Sequence, residues 1–259
     1  MPYAVVPLPP EFLQAPITHR GLHDLAAGIP ENSLAAARAA IAGGYGIECD
    51  IQPSSDGVPM VFHDYDLRRL TGRAGRTRGM TAAELQGLPL LGGNEGVPTL
   101  AALLDLIAGR VPLLIEIKDQ DGAMGENVGA LEAAVAEALR GYRGPVAVMS
   151  FNPNTVEAMA RAAPDVARGL VTSAYRPENW PLLPAASRDR LRDIPDYDRV
   201  GASFISHEAS DLDRPRVAEL RDKGAHILTW TIRSPEEEEA ARRVAQNVTF
   251  EGYRPARQA

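Results

Sequence analysis

Eight short runs of β-branched and aliphatic residues recur along the chain, with helix-like segments between them. The runs are Pro16–His19, Ile47–Ile51, Leu113–Ile117, Val146–Ser150, Ala167–Val171, Ala202–Ser206, His226–Thr231 and Val248–Phe250. Most are continuously apolar rather than alternating, the pattern of parallel strands covered by helices. The intervening segments carry helix punctuation. Leu34–Ala42 stops at Gly43-Gly44, Leu100–Ala108 at Gly109, Gly129–Arg140 at Gly141 and Arg214–Lys223 at Gly224, and glycine is the common residue just past a helix end. Thr155–Ala163 stops before Pro164. Ser234-Pro235-Glu236-Glu237 reads as a capping box with proline at the first helical position, which makes Glu236–Glu239 a solvated helix start favoured by the dipole.

Eight strands alternating with helices over 259 residues predict an α/β fold, a (β/α)8 TIM barrel built as one domain over residues 1–259. The competing doubly wound open sheet would place a Gly-x-Gly-x-x-Gly after its first strand, and none is found. One spacing is anomalous. From the second run to the helix at Leu100 is far longer than an ordinary βα loop of about 2–6 residues. Residues 53–98 are therefore predicted to be a small insertion after strand 2. It contains a turn at Ser54–Gly57, an extra strand at Met60–Phe62 and a capping box at Thr81–Glu84. Thr71–Gly79 reads as an exposed loop, and Ser173–Asp198 as a long loop after strand five.

Composition narrows the functional classes. Net charge is −7, with no basic tail or Lys/Arg block, so a nucleic-acid partner is not expected. Cys49 is the one cysteine, which excludes an internal disulfide and a cysteine zinc cluster; it reads as a small core residue. Met1–Pro7 lacks the basic start and apolar run of a signal peptide. No run approaches the roughly 18 unbroken apolar residues of a membrane span. A soluble, cytoplasmic protein without integral membrane contact is expected, and a homodimer is compatible with these features.

Polar residues gather where the predicted strands end, which in a barrel is the catalytic face. Strand one ends Thr18-His19-Arg20, strand two Glu48-x-Asp50, strand three Glu116-x-Lys118, and strand seven Thr229-Trp230-Thr231; the inserted strand ends His63-Asp64. Side chains two apart on a strand share a face, so Glu48 and Asp50 point together, roughly 7 Å apart along the chain. Carboxylates brought within about 4 Å repel by on the order of 4 kcal/mol at an effective dielectric of 20. A divalent cation between them relieves this; a solvated strand end does so as well. The other groups also have plain structural readings. Glu116 and Lys118 could form a surface ion pair, Asn32 could cap a helix, and Asp56 and Asp64 could stabilise turns. Together, three carboxylates, two histidines, an arginine and a lysine at one end of adjacent strands suit a metal with an anionic substrate.

The chain resembles the glycerophosphodiester phosphodiesterases. The resemblance runs through His19-Arg20-Gly21, Pro30-Glu31-Asn32-Ser33, Glu48-Cys49-Asp50, Asp56-Gly57 and Val61-Phe62-His63-Asp64. It continues through Leu67-x-x-Leu70-Thr71, Thr81–Leu85, Val97-Pro98-Thr99-Leu100, Glu116-Ile117-Lys118 and Trp230-Thr231, in order and over essentially the whole chain. It implies the same barrel and insertion, a divalent metal (Mg²⁺ or Ca²⁺), and hydrolysis of small-molecule glycerophosphodiesters to sn-glycerol 3-phosphate and an alcohol. By position it makes Glu48, Asp50 and Glu116 metal ligands, with Glu31 an additional acidic group. His19 and His63 become the acid–base pair, and Arg20 and Lys118 the phosphate-binding cations. Trp230 is then a substrate contact, and His207, placed at the same mouth by its position after strand six, another. Two departures stand out. Ser33 replaces the family's usual threonine, and Phe250-Glu251-Gly252-Tyr253 stands where a Thr-Asp-Tyr-Pro-like run is common. Two other readings are carried forward. One is a lysophospholipase D-like enzyme on lipid substrates, for which Leu88–Leu91 and Trp180–Leu183 could form an apolar entrance. The other is a non-catalytic barrel binding phosphorylated ligands.

Overall fold

The continuous apolar runs close on one another. In the computed structural model, which describes residues 3–256, the strands are β1 (Ile17–Thr18), β2 (Gly46–Pro53), β3 (Pro59–Val61), β4 (Leu113–Ile117), β5 (Val146–Ser150), β6 (Ala167–Thr172), β7 (Phe204–Glu208), β8 (His226–Ile232) and β9 (Asn247–Phe250). Every strand but β3 pairs parallel with its neighbours, and β1 pairs with both β2 and β9, closing an eight-stranded parallel barrel. The fold is the (β/α)8 barrel expected from the strand count. The first two residues of the Met1–Pro7 reading lie outside the described residues.

The helices are α1 (Leu34–Gly43), α2 (Arg68–Thr71), α3 (Ala82–Gln86), α4 (Leu100–Ile107), α5 (Ala130–Leu139), α6 (Pro153–Ala162), α7 (Ala185–Arg192), α8 (Pro215–Asp222) and α9 (Pro235–Ala241). Most of the punctuation read from the chain is used. Gly44 ends α1 with φ of 70°, Ser33 caps its start, and the Thr81–Glu84 capping box opens α3. Asn32, read as a helix cap, is displaced from that role by Ser33, whose Oγ accepts from Ala36 N at 3.0 Å. The stretch 173–198, read as a loop, carries α7. That helix buries only Leu191, so it lacks the apolar periodicity that marks a helix.

Barrel strands bury both faces. Outward residues such as Ile47, Cys49, Ile51 and Ile115 pack under α4 with Leu100 and Leu103. Inward residues Leu114, Met149, Val171, Phe204 and Leu228 fill the barrel, and Leu8 and Phe12 join them from the N-terminal segment. Gly169 makes this filling possible, since a Cβ there would lie 2.4 Å from the Phe204 ring. The interior is therefore solid below, and polar chemistry is left to the strands' C-terminal ends.

The insertion begins where β2 runs past the barrel. There β3 pairs antiparallel with it, through Ile51↔Val61 and Gln52↔Met60. The insertion has its own small core, including Met60, Phe62, Leu67, Leu70 and Leu85. That core fixes His63, the second residue after β3, beside the barrel mouth.

Candidate active site

Strand alternation turns Glu48 and Asp50 into the barrel mouth, and the β2–β4 register sets Asp50 against Glu116. All three carboxylates are buried, and one oxygen from each lies within 4.8 Å of the others. Burial and the charges of Asp50 and Glu116 push the Glu48 carboxyl well above its usual range. Burial acts the same way on Asp50, yet the nearby Lys118, His63 and Arg20 outweigh it and hold that carboxyl low. Lys118 Nζ sits 2.7 Å from Asp50 Oδ1 and 2.6 Å from Glu116 Oε1. Burial disfavours its charge, but those two carboxylates keep the lysine protonated.

The loop after β1 supplies the remaining contacts. Arg20 N donates to Glu48 Oε2 at 2.9 Å, its guanidinium meets Glu31 at 2.7 Å, and its Nε lies 3.4 Å from Asp50. Arg20 adopts φ of 57°, a costly conformation for a residue with a Cβ, and one that recurs at functional sites. Gly21 follows it with φ of 78°, against Ala36, where a Cβ would fall 2.8 Å from Ala36 Cβ. Asn32 holds Asp50 from two directions. Its Nδ2 donates to Asp50 Oδ2 at 2.8 Å, and its Oδ1 accepts from Asp50 N at 3.3 Å.

Each candidate histidine is backed by a carboxylate. His19 Nδ1 lies 2.6 Å from Glu251 Oε2, and His63 Nδ1 lies 2.6 Å from Asp64 Oδ1. The hydrogen bond from His19, with His23 Nε2 3.6 Å away and Arg233 beyond, holds Glu251 well below the usual carboxylate range. Burial tends to raise Asp64, but His63 and Arg69 bring it below that range. An ionised carboxylate only accepts, so in each pair Nδ1 carries the proton and Nε2 is left free. Burial lowers the His19 pKa below its ordinary value of 6.5, with Glu251 opposing. An arginine stands behind each acid. Arg233 meets Glu251 at 2.7 Å, and Arg69 meets Asp64 at 2.7 Å while also reaching Glu31 at 2.8 Å.

The mouth thus brings together His19, Arg20, Glu31, Glu48, Asp50, His63, Glu116 and Lys118. Trp230 stands on the opposite wall, its Nε1 donating to Ser206 O at 3.0 Å and its ring against Phe151. His207 is a correction. It shares the outward face of β7 with Ile205, its side chain is fully enclosed, and both ring nitrogens are engaged. Nδ1 lies 2.8 Å from Thr172 Oγ1 and Nε2 3.1 Å from Asp211 O. Position after a strand suggested the mouth; the period-two alternation of β7 turns the ring to the helix side.

The sequence reading does not place Glu251, Asn32 or Arg69 in this site, and gives Asp64 only a turn role. Glu251 had a usable signal. It follows the eighth strand and shares the inward parity of Thr249, so the rule applied to strands one to three also selects it.

Three oxygen-donor acids, crowded enough to raise one of their own pKa values, fit a hard divalent cation. No thiolate joins the cluster to favour a softer metal.

Residues 19–249 match the model of the glycerophosphoryl diester phosphodiesterase family. Glycerophosphodiester phosphodiesterase 1 of Bos taurus is 30% identical over 256 residues, covering 89% of this chain and 75% of its own. A glycerophosphodiester phosphodiesterase of Caldanaerobacter subterraneus is 30% identical over 63% of this chain and 69% of its own. Among solved structures, an Oleispira antarctica phosphodiesterase in complex with the product sn-glycerol-3-phosphate superposes with a TM-score of 0.74, at 26% identity and 93% coverage of both chains. This chain belongs to the glycerophosphoryl diester phosphodiesterase family.

Proposed function

We propose that this phosphodiesterase releases sn-glycerol 3-phosphate and an alcohol from glycerophosphodiesters, using His19 and His63 as its proton-transfer pair and Glu48, Asp50 and Glu116 as ligands to Mg²⁺ or Ca²⁺. When bound, the cation supplies positive charge beside the phosphoryl oxygens. Arg20 and Lys118 add fixed cations at the same place. Both are already charged and oriented, so little reorganisation is needed as negative charge builds during attack.

In-line displacement puts the attacking and leaving oxygens on opposite sides of phosphorus. The attacking hydroxyl, from water or from the neighbouring glycerol carbon, loses a proton as the new P–O bond forms. The alcohol oxygen gains one as its P–O bond breaks. One imidazole, neutral at the start, takes the first proton on its free Nε2. The other enters with a proton on Nε2 as well as Nδ1 and gives the Nε2 proton to the leaving oxygen, so the pair exchanges charge state over one turnover. Glu251 and Asp64 fix the two rings by holding Nδ1. The observation that carries this reading is the paired construction: two imidazoles, each with Nδ1 held by a carboxylate, and both within electrostatic reach of Asp50. A binding protein has no use for such a pair. The single buried cysteine fits a reducing, cytoplasmic setting.

The test is to incubate the protein with glycerophosphodiesters that differ only in the alcohol and identify both products. A common product, sn-glycerol 3-phosphate, is expected from every diester cleaved. Release of free glycerol with a phosphorylated alcohol would mean that the opposite ester bond breaks, and would overturn the reading.

A further inference from the structure

The exposed large apolar side chains of this protein are concentrated on one rim. Among the described residues, Leu25, Tyr65, Leu91 and Leu182 all lie on segments that follow the C-terminal ends of barrel strands, and Val5 alone stands apart. Contacts join them. Leu25 comes so close to Gly92 that a Cβ there would lie 2.3 Å from Leu25 Cδ1, and Leu91 lies beside Gly72. Tyr65 and Leu182 line one cavity of about 680 Å³, whose charged lining is Arg76 and Arg78 with Asp66, Asp119 and Asp121. Tyr65 donates to Asp119 O at 2.6 Å, which fixes its half-exposed ring, and Leu182 is 90% exposed.

One stretch of this rim, from Tyr65 to Gly79, is rich in arginine, with Asp66 its one carboxylate. Arg68, Arg73, Arg76 and Arg78 are all exposed, and among the described residues none has a carboxylate partner; Arg69 between them is tied to Glu31 and Asp64. This concentration of positive charge occurs in a chain of net charge −7. Unpaired guanidiniums interleaved with exposed leucines and a tyrosine match the boundary of an anionic bilayer, with phosphates above and acyl chains below. A nucleic acid would engage the arginines and leave Leu91 and Leu182 in water.

We propose that this rim docks the protein peripherally on an anionic lipid bilayer, with the barrel mouth facing the lipid. The acidic remainder of the molecule is repelled by the same surface, which sets the orientation. Docking stands on the rim alone and is read by binding, so it does not depend on the activity proposed above.

The test is co-sedimentation of the whole protein with phosphatidylcholine vesicles, with and without phosphatidylglycerol, at low and high salt. Binding to the anionic vesicles is expected, lost in pure phosphatidylcholine and weakened by salt. Arg68→Glu and Arg73→Glu are each expected to lower vesicle affinity about fivefold or more, and Leu91→Ser to lower it further. None of these residues touches the catalytic groups, so hydrolysis of a water-soluble glycerophosphodiester stays at the wild-type rate and reports that the variants are folded. Protein that remains in the supernatant with both vesicle types overturns the proposal. So does equal binding to neutral and anionic vesicles, or binding to RNA without binding to vesicles.

Discussion

His19 and His63 make the same contact in different housing. His19 directly follows barrel strand β1, is 15% exposed, and takes its carboxylate from Glu251 across 232 residues of chain. His63 belongs to the insertion, is 32% exposed, and takes its carboxylate from the next residue, Asp64. The first ring is held only once the last strand has closed the barrel. The second is held by a local turn and by Arg69, which also grips Glu31 from the barrel side. An active site can thus draw matched proton-transfer groups from its most global and its most local structure.

The comparison breaks most decisively if one ring is dispensable. His19→Ala and His63→Ala are each expected to lower kcat by about 10²–10⁴-fold, with circular dichroism unchanged. Near-normal turnover by either variant would leave the other ring without a partner. The acids should matter less. Glu251→Gln and Asp64→Asn are expected to lower kcat by at least roughly 10-fold and by less than the loss of the ring they hold, the carboxylate fixing tautomer and orientation rather than moving the proton itself, with little change in KM. Equal turnover with and without one of these carboxylates would reduce it to a structural contact. The smallest effect is on titration. Glu251 raises a His19 pKa that burial has lowered, so Glu251→Gln should move it further down. NMR titration of the ring reads this directly. The limb of the pH–rate profile that follows His19 moves to lower pH whether the ring acts as base or acid, and an upward shift would contradict the assignment.

The parts legible in the sequence are those set by short-range patterning. Continuous apolar runs and glycine stops gave the strands and most helices, and an overlong gap gave the insertion. Glu48 with Asp50, and Glu116 with Lys118, were legible as pairs because alternation needs only two residues on one strand. Features that depend on closure were not. The His19–Glu251 contact exists because β1 and β9 pair, which no local pattern records. His207 failed because its parity within β7 becomes visible only in the register against its neighbours. Helix α7 hid behind a polar surface, and Asn32 behind a capping role that Ser33 takes instead.

Everything proposed for catalysis converges on the acids of β2 and β4 sharing a cation. The most direct measurement is hydrolysis of one glycerophosphodiester by chelator-stripped protein, before and after Mg²⁺ or Ca²⁺ is restored, for the wild type and Glu116→Gln side by side. Expected is no turnover after stripping, recovery with one of the two cations, and a dose curve for Glu116→Gln displaced to higher cation concentration. Undiminished turnover in excess chelator, or superimposable cation curves for the two proteins, would contradict it.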